Sequence, residues 1–127
     1  KYINNISLMR AIPQNMLVNY ISCADIGLCI IDPSSLSYFY SLPNKIFEYA
    51  QANLIILVGP GKELENFALT HPASYIIKEL DVESLFKHFS SWTYDKVAFH
   101  KKSLLSYKPP LWDYENAKLT EVLKTLL

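Results

Sequence analysis

The strongest constraint on the fold is an alternation of short, near-continuous apolar runs with segments whose apolar residues recur at helical spacing. Leu54 to Val58 is wholly apolar and is stopped by Gly59-Pro60-Gly61. Asp25 to Ile31 is a second such run and leads into Asp32-Pro33. A strand with no polar face is buried on both sides, as in parallel sheets. Neither run approaches the ~20 residues of a membrane-spanning helix. Between them, Pro43 to about Ala52 places Ile46, Phe47 and Ala50 where one helical face would bury them. Strand, helix, strand in this order predicts an α/β fold: a Rossmann-like, mainly parallel sheet with flanking helices.

The rest of the chain extends the pattern. Ile6 to Ile12 reads as a strand ended by Pro13, and Gln14 to Ser22 as a helix carrying Met16, Leu17, Tyr20 and Ile21. Asp32 to Leu42 opens with Asp-Pro-Ser-Ser and reads as a turn and loop. Asn53 closes the Pro43–Ala52 helix by taking the left-handed conformation. Lys62 to Leu69 reads as a short helix, and Ser74 to Ile77 as a fourth strand. Asp81 caps a helix reaching about Phe89 or Trp92. A further helix covers Thr93 to about Ser106. After the Pro109-Pro110 turn, a last helix runs from about Trp112 to Leu126 with Leu119, Val122, Leu123 and Leu126 as its apolar stripe. There is no internal repeat and no linker, so residues 1–127 form a single domain. No initiator methionine opens the sequence, which reads as a fragment.

Charge excludes some partners. Twelve basic and twelve acidic side chains cancel, which argues against nucleic acid or an anionic membrane as the main partner. Cys23 and Cys29, if both lie in the second strand, share one face about 20 Å apart at a rise of ~3.3 Å per residue. That is too far for a disulfide, so both read as buried thiols in a reducing cytoplasm. His71, His88 and His100 show no metal-ligand spacing and stand in polar contexts, so they are expected at the surface.

The junction most suited to chemistry is Asp32 to Glu48, because ligands of such sheets bind where strands end and helices begin. Pro43 opens the helix, leaving backbone N–H groups near Asn44, Lys45 and Ile46 directed at the preceding loop. Those groups and the helix dipole favour an anion such as a diphosphate. Lys45 adds a cation, which the dipole disfavours unless an anion is present, and Ser41 adds a hydroxyl. Glu48 lies one turn beyond Asn44 on the same face. Its carboxylate suits two adjacent hydroxyls, as on a ribose. On spacing alone, an ordinary helix capped by Ser41, with Lys45 and Glu48 solvated, accounts for the same residues. Asp25 is expected to orient the start of its strand. Tyr38 and Phe39 are expected to pack on the neighbouring helix, with base stacking as the alternative. Gly59-Pro60-Gly61 serves equally as a plain turn or as a lining of the site.

Ala24-Asp25-Ile26-Gly27-Leu28, the run Ser41-Leu42-Pro43-Asn44-Lys45-Ile46-Phe47-Glu48-Tyr49, and Gly59-Pro60 together resemble the C-terminal, nucleotide-sugar-binding domain of GT-B-fold glycosyltransferases of the family-4 type. The closest likeness is to bacterial enzymes of polysaccharide biosynthesis. Trp112-Asp113-Tyr114-Glu115 with Leu119 and Leu123 is similar to the family's closing helix. The resemblance implies that Glu48 contacts the ribose, and that Ser41, Leu42, Asn44 and Lys45 contact the diphosphate. Many relatives carry two glutamates, at the positions of Tyr40 and Glu48. A phenol at Tyr40 hydrogen-bonds but cannot act as a carboxylate towards the donor sugar. The catalytic residues are not identified by the resemblance.

The implied activity is transfer of a sugar from a nucleotide diphosphate sugar to a glycan or lipid-linked acceptor, with no cofactor and no metal. Lys45 and the helix dipole would stabilise the leaving diphosphate. The acceptor would bind a separate N-terminal domain, and the setting would be cytoplasmic, at the inner face of the membrane. In the family's strand order, 3-2-1-4-5-6, the Ile6–Ile12 strand would be third, and two further strands would separate it from the Asp25–Ile31 strand. Without them, this N-terminally truncated chain is expected to rearrange or self-associate through open edges, and to be inactive alone. The alternatives are a non-catalytic regulatory or assembly module, and a sugar-nucleotide epimerase of the same fold.

Overall fold

The computed structural model describes residues 5–109 and 112–126, the side chains of residues 112–114 excepted. Pro110 of the expected turn, and the Trp112-Asp113-Tyr114 side chains of the closing motif, lie outside the described residues. The elements run α1 (Gln14–Ile21), β1 (Ile26–Cys29), α2 (Leu36–Phe39), α3 (Asn44–Gln51), β2 (Ile55–Val58), α4 (Lys62–Thr70), β3 (Ser74–Ile76), α5 (Val82–Ser90), α6 (Tyr94–Leu104) and α7 (Trp112–Leu126). Among the described residues, no helix is long and apolar enough to cross a membrane.

The sheet is wholly parallel, in the order β1-β2-β3. Ile26 pairs with Ile55 and Cys29 with Val58; on the other side Ile56 pairs with Ser74 and Val58 with Ile76. Side chains alternate across a strand, so β2 feeds two cores. Ile56 and Val58 meet Cys29, Ile46 and Ala50 of α3, and Leu64 and Phe67 of α4. Ile55 meets Ala73 and Leu104 of α6, with Ile26, Tyr75, Trp92 and Val97 around them. Ile55 to Val58 are all fully buried, and each such side chain contributes roughly 1.5–3 kcal/mol on leaving water. Helices therefore cover both faces of the sheet, a Rossmann-like arrangement.

Local chemistry sets the element ends. Asn53 adopts φ 55° and turns the chain from α3 into β2, as its tolerance of the left-handed region predicts. Asp81 Oδ1 accepts the Ser84 N–H at 2.9 Å at the start of α5. Thr93 Oγ1 accepts the Lys96 N–H at 3.3 Å at the start of α6. Asp25 fixes the start of β1 in two ways. Its carbonyl accepts the Ile55 N–H, and its carboxylate pairs with Lys101 of α6 at 2.9 Å.

Four expectations are corrected. Residues 6–12 do not form a strand; they belong to no sheet, and Leu8 is 96% exposed. An apolar run becomes a strand only where an edge receives it, and the outer edge of β1 is partly occupied. The Tyr49 hydroxyl donates to the Leu28 carbonyl at 3.3 Å. The Tyr49 ring lies so close over Gly27 that an added Cβ would sit 2.5 Å from it. Second, β1 is not buried on both faces, since Leu28 is 43% exposed. Third, Cys23 precedes β1 and is exposed, leaving Cys29 as the one buried thiol of the two. Fourth, the histidines are not surface residues.

His71 is 3% exposed. It stacks on Phe67 at 5.6 Å and meets Tyr107 edge-on at 4.8 Å. Its Nδ1 shares a 2.8 Å hydrogen bond with the Ser74 hydroxyl. His88 and His100 are half-buried around Trp92, and the Tyr75 hydroxyl lies 2.6 Å from His100 Nδ1. Within Asp32–Leu42, which the sequence reads as loop, α2 forms one turn capped by Ser35 Oγ on the Tyr38 N–H at 3.2 Å.

Burial lowers the His71 pKa to about 4. An unfolded chain takes up that proton near the ordinary value of ~6.5. Between these values the unfolded state binds one more proton than the folded state, so stability falls as pH drops through the window. The full contribution is present above it, and the loss is on the order of 3 kcal/mol. His88 is also lowered, by burial and then by Lys96, and acts in the same direction. Urea midpoints should therefore fall from pH 7 to 4.5, and His71→Phe, which keeps the ring stack, should flatten that slope. An equal slope in both proteins would contradict this account of His71.

Candidate functional site

The carboxyl ends of β1 and β2 are drawn together by a backbone contact. Gly59 donates its N–H to the Cys29 carbonyl at 3.0 Å. Its missing Cβ leaves room for Ile31, whose nitrogen would stand 3.2 Å from one. From this edge the chain passes Asp32, whose Oδ1 accepts the Ser34 N–H at 3.1 Å. It then makes the single turn of α2 and enters α3 through Pro43. The helix buries Ile46 and Ala50 and half-buries Phe47. Its opposite face, with Asn44, Lys45 and Glu48, is turned outward.

The helix start carries no side-chain cap. Ser41 does not cap it: its hydroxyl donates to the Tyr38 carbonyl at 2.8 Å, and its N–H to the same oxygen at 3.2 Å. The Ile46 N–H donates to the Pro43 carbonyl at 3.2 Å, so of the three donors expected at this end, those of Asn44 and Lys45 have no partner among the described residues. Leu42 and Tyr40 are exposed, and Tyr40 stands edge-on to Phe39 with ring centroids 5.0 Å apart. Phe39 is half-buried while Tyr38 is exposed.

Charge distribution sets α3 apart from the helices that follow. The first turns of α4, α5 and α6 contain Glu63 and Glu65, Glu83, and Asp95. The first turn of α3 contains no acid and holds Lys45. Among the described residues the ion pairs within 4.0 Å are Lys101–Asp25 and Lys118–Glu115, so Lys45 is not paired with Glu48. The charge of Lys45 reaches inward to Cys29. Burial pushes that thiol up, and Lys45 partly opposes the shift.

Glu48 is half-buried, and its Oε1 accepts the Gln14 Nε2–H at 2.8 Å. Gln14 opens α1, which packs against α3. The sequence reading missed this partner, because nothing in residue type or spacing links positions 34 apart. Tyr49 was also missed; its pKa is raised, chiefly by burial and then by Cys29 and Glu48.

Tyr40, Ser41, Leu42, Asn44, Lys45 and Glu48 thus follow one continuous loop and helix start at the carboxyl edge of the sheet. The arrangement offers two backbone donors, a cation and, one turn on, a carboxylate. Among the described residues, no group of three or more His, Cys, Asp or Glu side chains comes together as a metal site. Comparisons with family models, with curated proteins and with solved structures give no match to this chain.

The two thiols should differ sharply. Thiolate is the reactive form, and Cys29 is buried and raised whereas Cys23 is exposed. A thiol reagent at pH 8 should label one cysteine per chain quickly, and the second only after denaturant is added. Cys23→Ser should abolish the fast phase. Rapid labelling of both in the folded protein would contradict the burial of Cys29.

Proposed function

We propose that this chain is the donor-binding part of a glycosyltransferase, gripping the nucleoside diphosphate of a nucleotide-sugar at the start of α3. The observation that carries the reading is the uncapped helix start with Lys45, in no ion pair among the described residues, in its first turn. The dipole disfavours a cation there by roughly 0.3–1 kcal/mol. A diphosphate reverses that sign, because it attracts both the N–H groups and the ammonium. Glu48, one turn further along, is in line to accept hydrogen bonds from the ribose. The resemblance of Ser41–Glu48 to the family-4 donor motif supports the same assignment.

In the proposed reaction, the Asn44 and Lys45 N–H groups and the Lys45 ammonium stabilise negative charge on the departing diphosphate as the sugar–oxygen bond breaks. The sugar passes to a glycan or lipid-linked acceptor held by another domain. Tyr40 stands where many relatives have a carboxylate, and a phenol there holds the donor sugar by hydrogen bonding. That one position also favours a second reading, a nucleotide-binding module without transfer.

Calorimetric titration of the full-length protein with UDP, GDP and their sugars tests the proposal. Binding of at least one nucleotide is expected, weakened about tenfold by Lys45→Ala and by Glu48→Ala, as for loss of a hydrogen bond to a charged group. No binding of any nucleoside diphosphate would overturn the assignment. Binding without sugar transfer to any acceptor would favour the second reading.

A further inference from the structure

We infer that Gln14 is a positioning residue for Glu48, and that the two side chains form a paired acceptor for the vicinal hydroxyls of a ribose. The inference rests on the donor-site reading and extends it to a residue on another helix. Gln14 Nε2 donates to Glu48 Oε1 at 2.8 Å across the α1–α3 interface. An ionised carboxylate only accepts, so the glutamine must turn its NH₂ to Glu48. Its own carbonyl oxygen is then directed away from the carboxylate, as an acceptor with no donor among the described residues. Among the described residues, Glu48 Oε2 has no hydrogen-bond donor. The pair therefore leaves two acceptors, one from each residue, and a ribose 2′,3′-diol brings two donors.

The neutral partner matters. Lys45, three residues before Glu48, does not pair with it. The orientation of the carboxylate is set by an amide that leaves its charge intact. An ammonium in the same place would neutralise the carboxylate and weaken it as an acceptor. Gln14 is itself well placed to hold still. It is the first residue of α1, directly after Pro13, whose ring fixes φ at −54°. The interface also explains why α1 lies on α3 although none of its side chains is buried: a polar contact contributes to the docking.

The test is a ratio of affinities. UDP and 2′-deoxy-UDP, and GDP and 2′-deoxy-GDP, are titrated against the native full-length protein, Gln14→Ala and the near-isosteric Gln14→Met. The native protein should prefer the ribonucleotide by about tenfold, the scale of one charged hydrogen bond. Both variants should bind both nucleotides with the preference reduced to within about twofold. A merely structural role for Gln14 would weaken both nucleotides alike and leave the ratio unchanged, which would overturn the inference while leaving the donor site standing. Native protein that binds the two forms equally would also overturn it. Native protein that binds neither would overturn the inference together with the reading on which it rests.

Discussion

The structure depends on the burial of β2 from both sides. Its four residues are shut away from water, its backbone is paired on both edges, and its alternating side chains hold α3 and α4 on one face and α6 on the other. A strand so placed has no polar face, so it tolerates neither a register slip nor a polar substitution. β1 and β3 are held less completely. β1 is paired along one edge only and has one exposed side chain, Leu28, and β3 is only half-buried. Burial in the sheet therefore decreases outward from β2.

The position of the candidate site follows from that frame. Because β1 and β2 are parallel, the crossover between them must bring α3 back antiparallel, with its start at the carboxyl ends of the strands. Gly59 draws those ends together, and burial of Ile46 and Ala50 fixes the rotation of α3. Asn44, Lys45 and Glu48 then face outward by helical periodicity. Core packing and surface chemistry are two faces of the same eight residues. A helix anchored by so small an apolar stripe can present an uncompensated cation at its start because the buried face supplies the stability.

Most of the sheet is legible in the sequence, and the reasons are physical. Leu54–Val58 has only one plausible environment, and Asn53, Asp81 and Thr93 mark helix ends by side-chain chemistry that acts within three residues. Residues 6–12 show where this logic stops. Their apolar pattern suits a strand, but pairing depends on an edge, and whether an edge is open is not a local property. The histidines fail for a related reason. His71 sits four residues after Phe67, a spacing that places its ring on the same helical face, yet its neighbours, the polar Thr70 and the helix-ending Pro72, suggest a solvated turn. At the candidate site, residues 40–48 could be read because they are contiguous. The Gln14–Glu48 bond could not, because it joins two helices across 34 positions of the chain.

The proposed role of the start of α3 is to receive a nucleoside diphosphate. Amide-resolved NMR of the protein during titration with UDP or GDP addresses it most directly, because it reads the backbone donors themselves. The largest shift changes are expected on the N–H groups of Asn44 and Lys45, whose donors have no partner among the described residues, with smaller changes at Leu42 and Glu48. Saturable changes confined to other parts of the chain, or none at all, would contradict it.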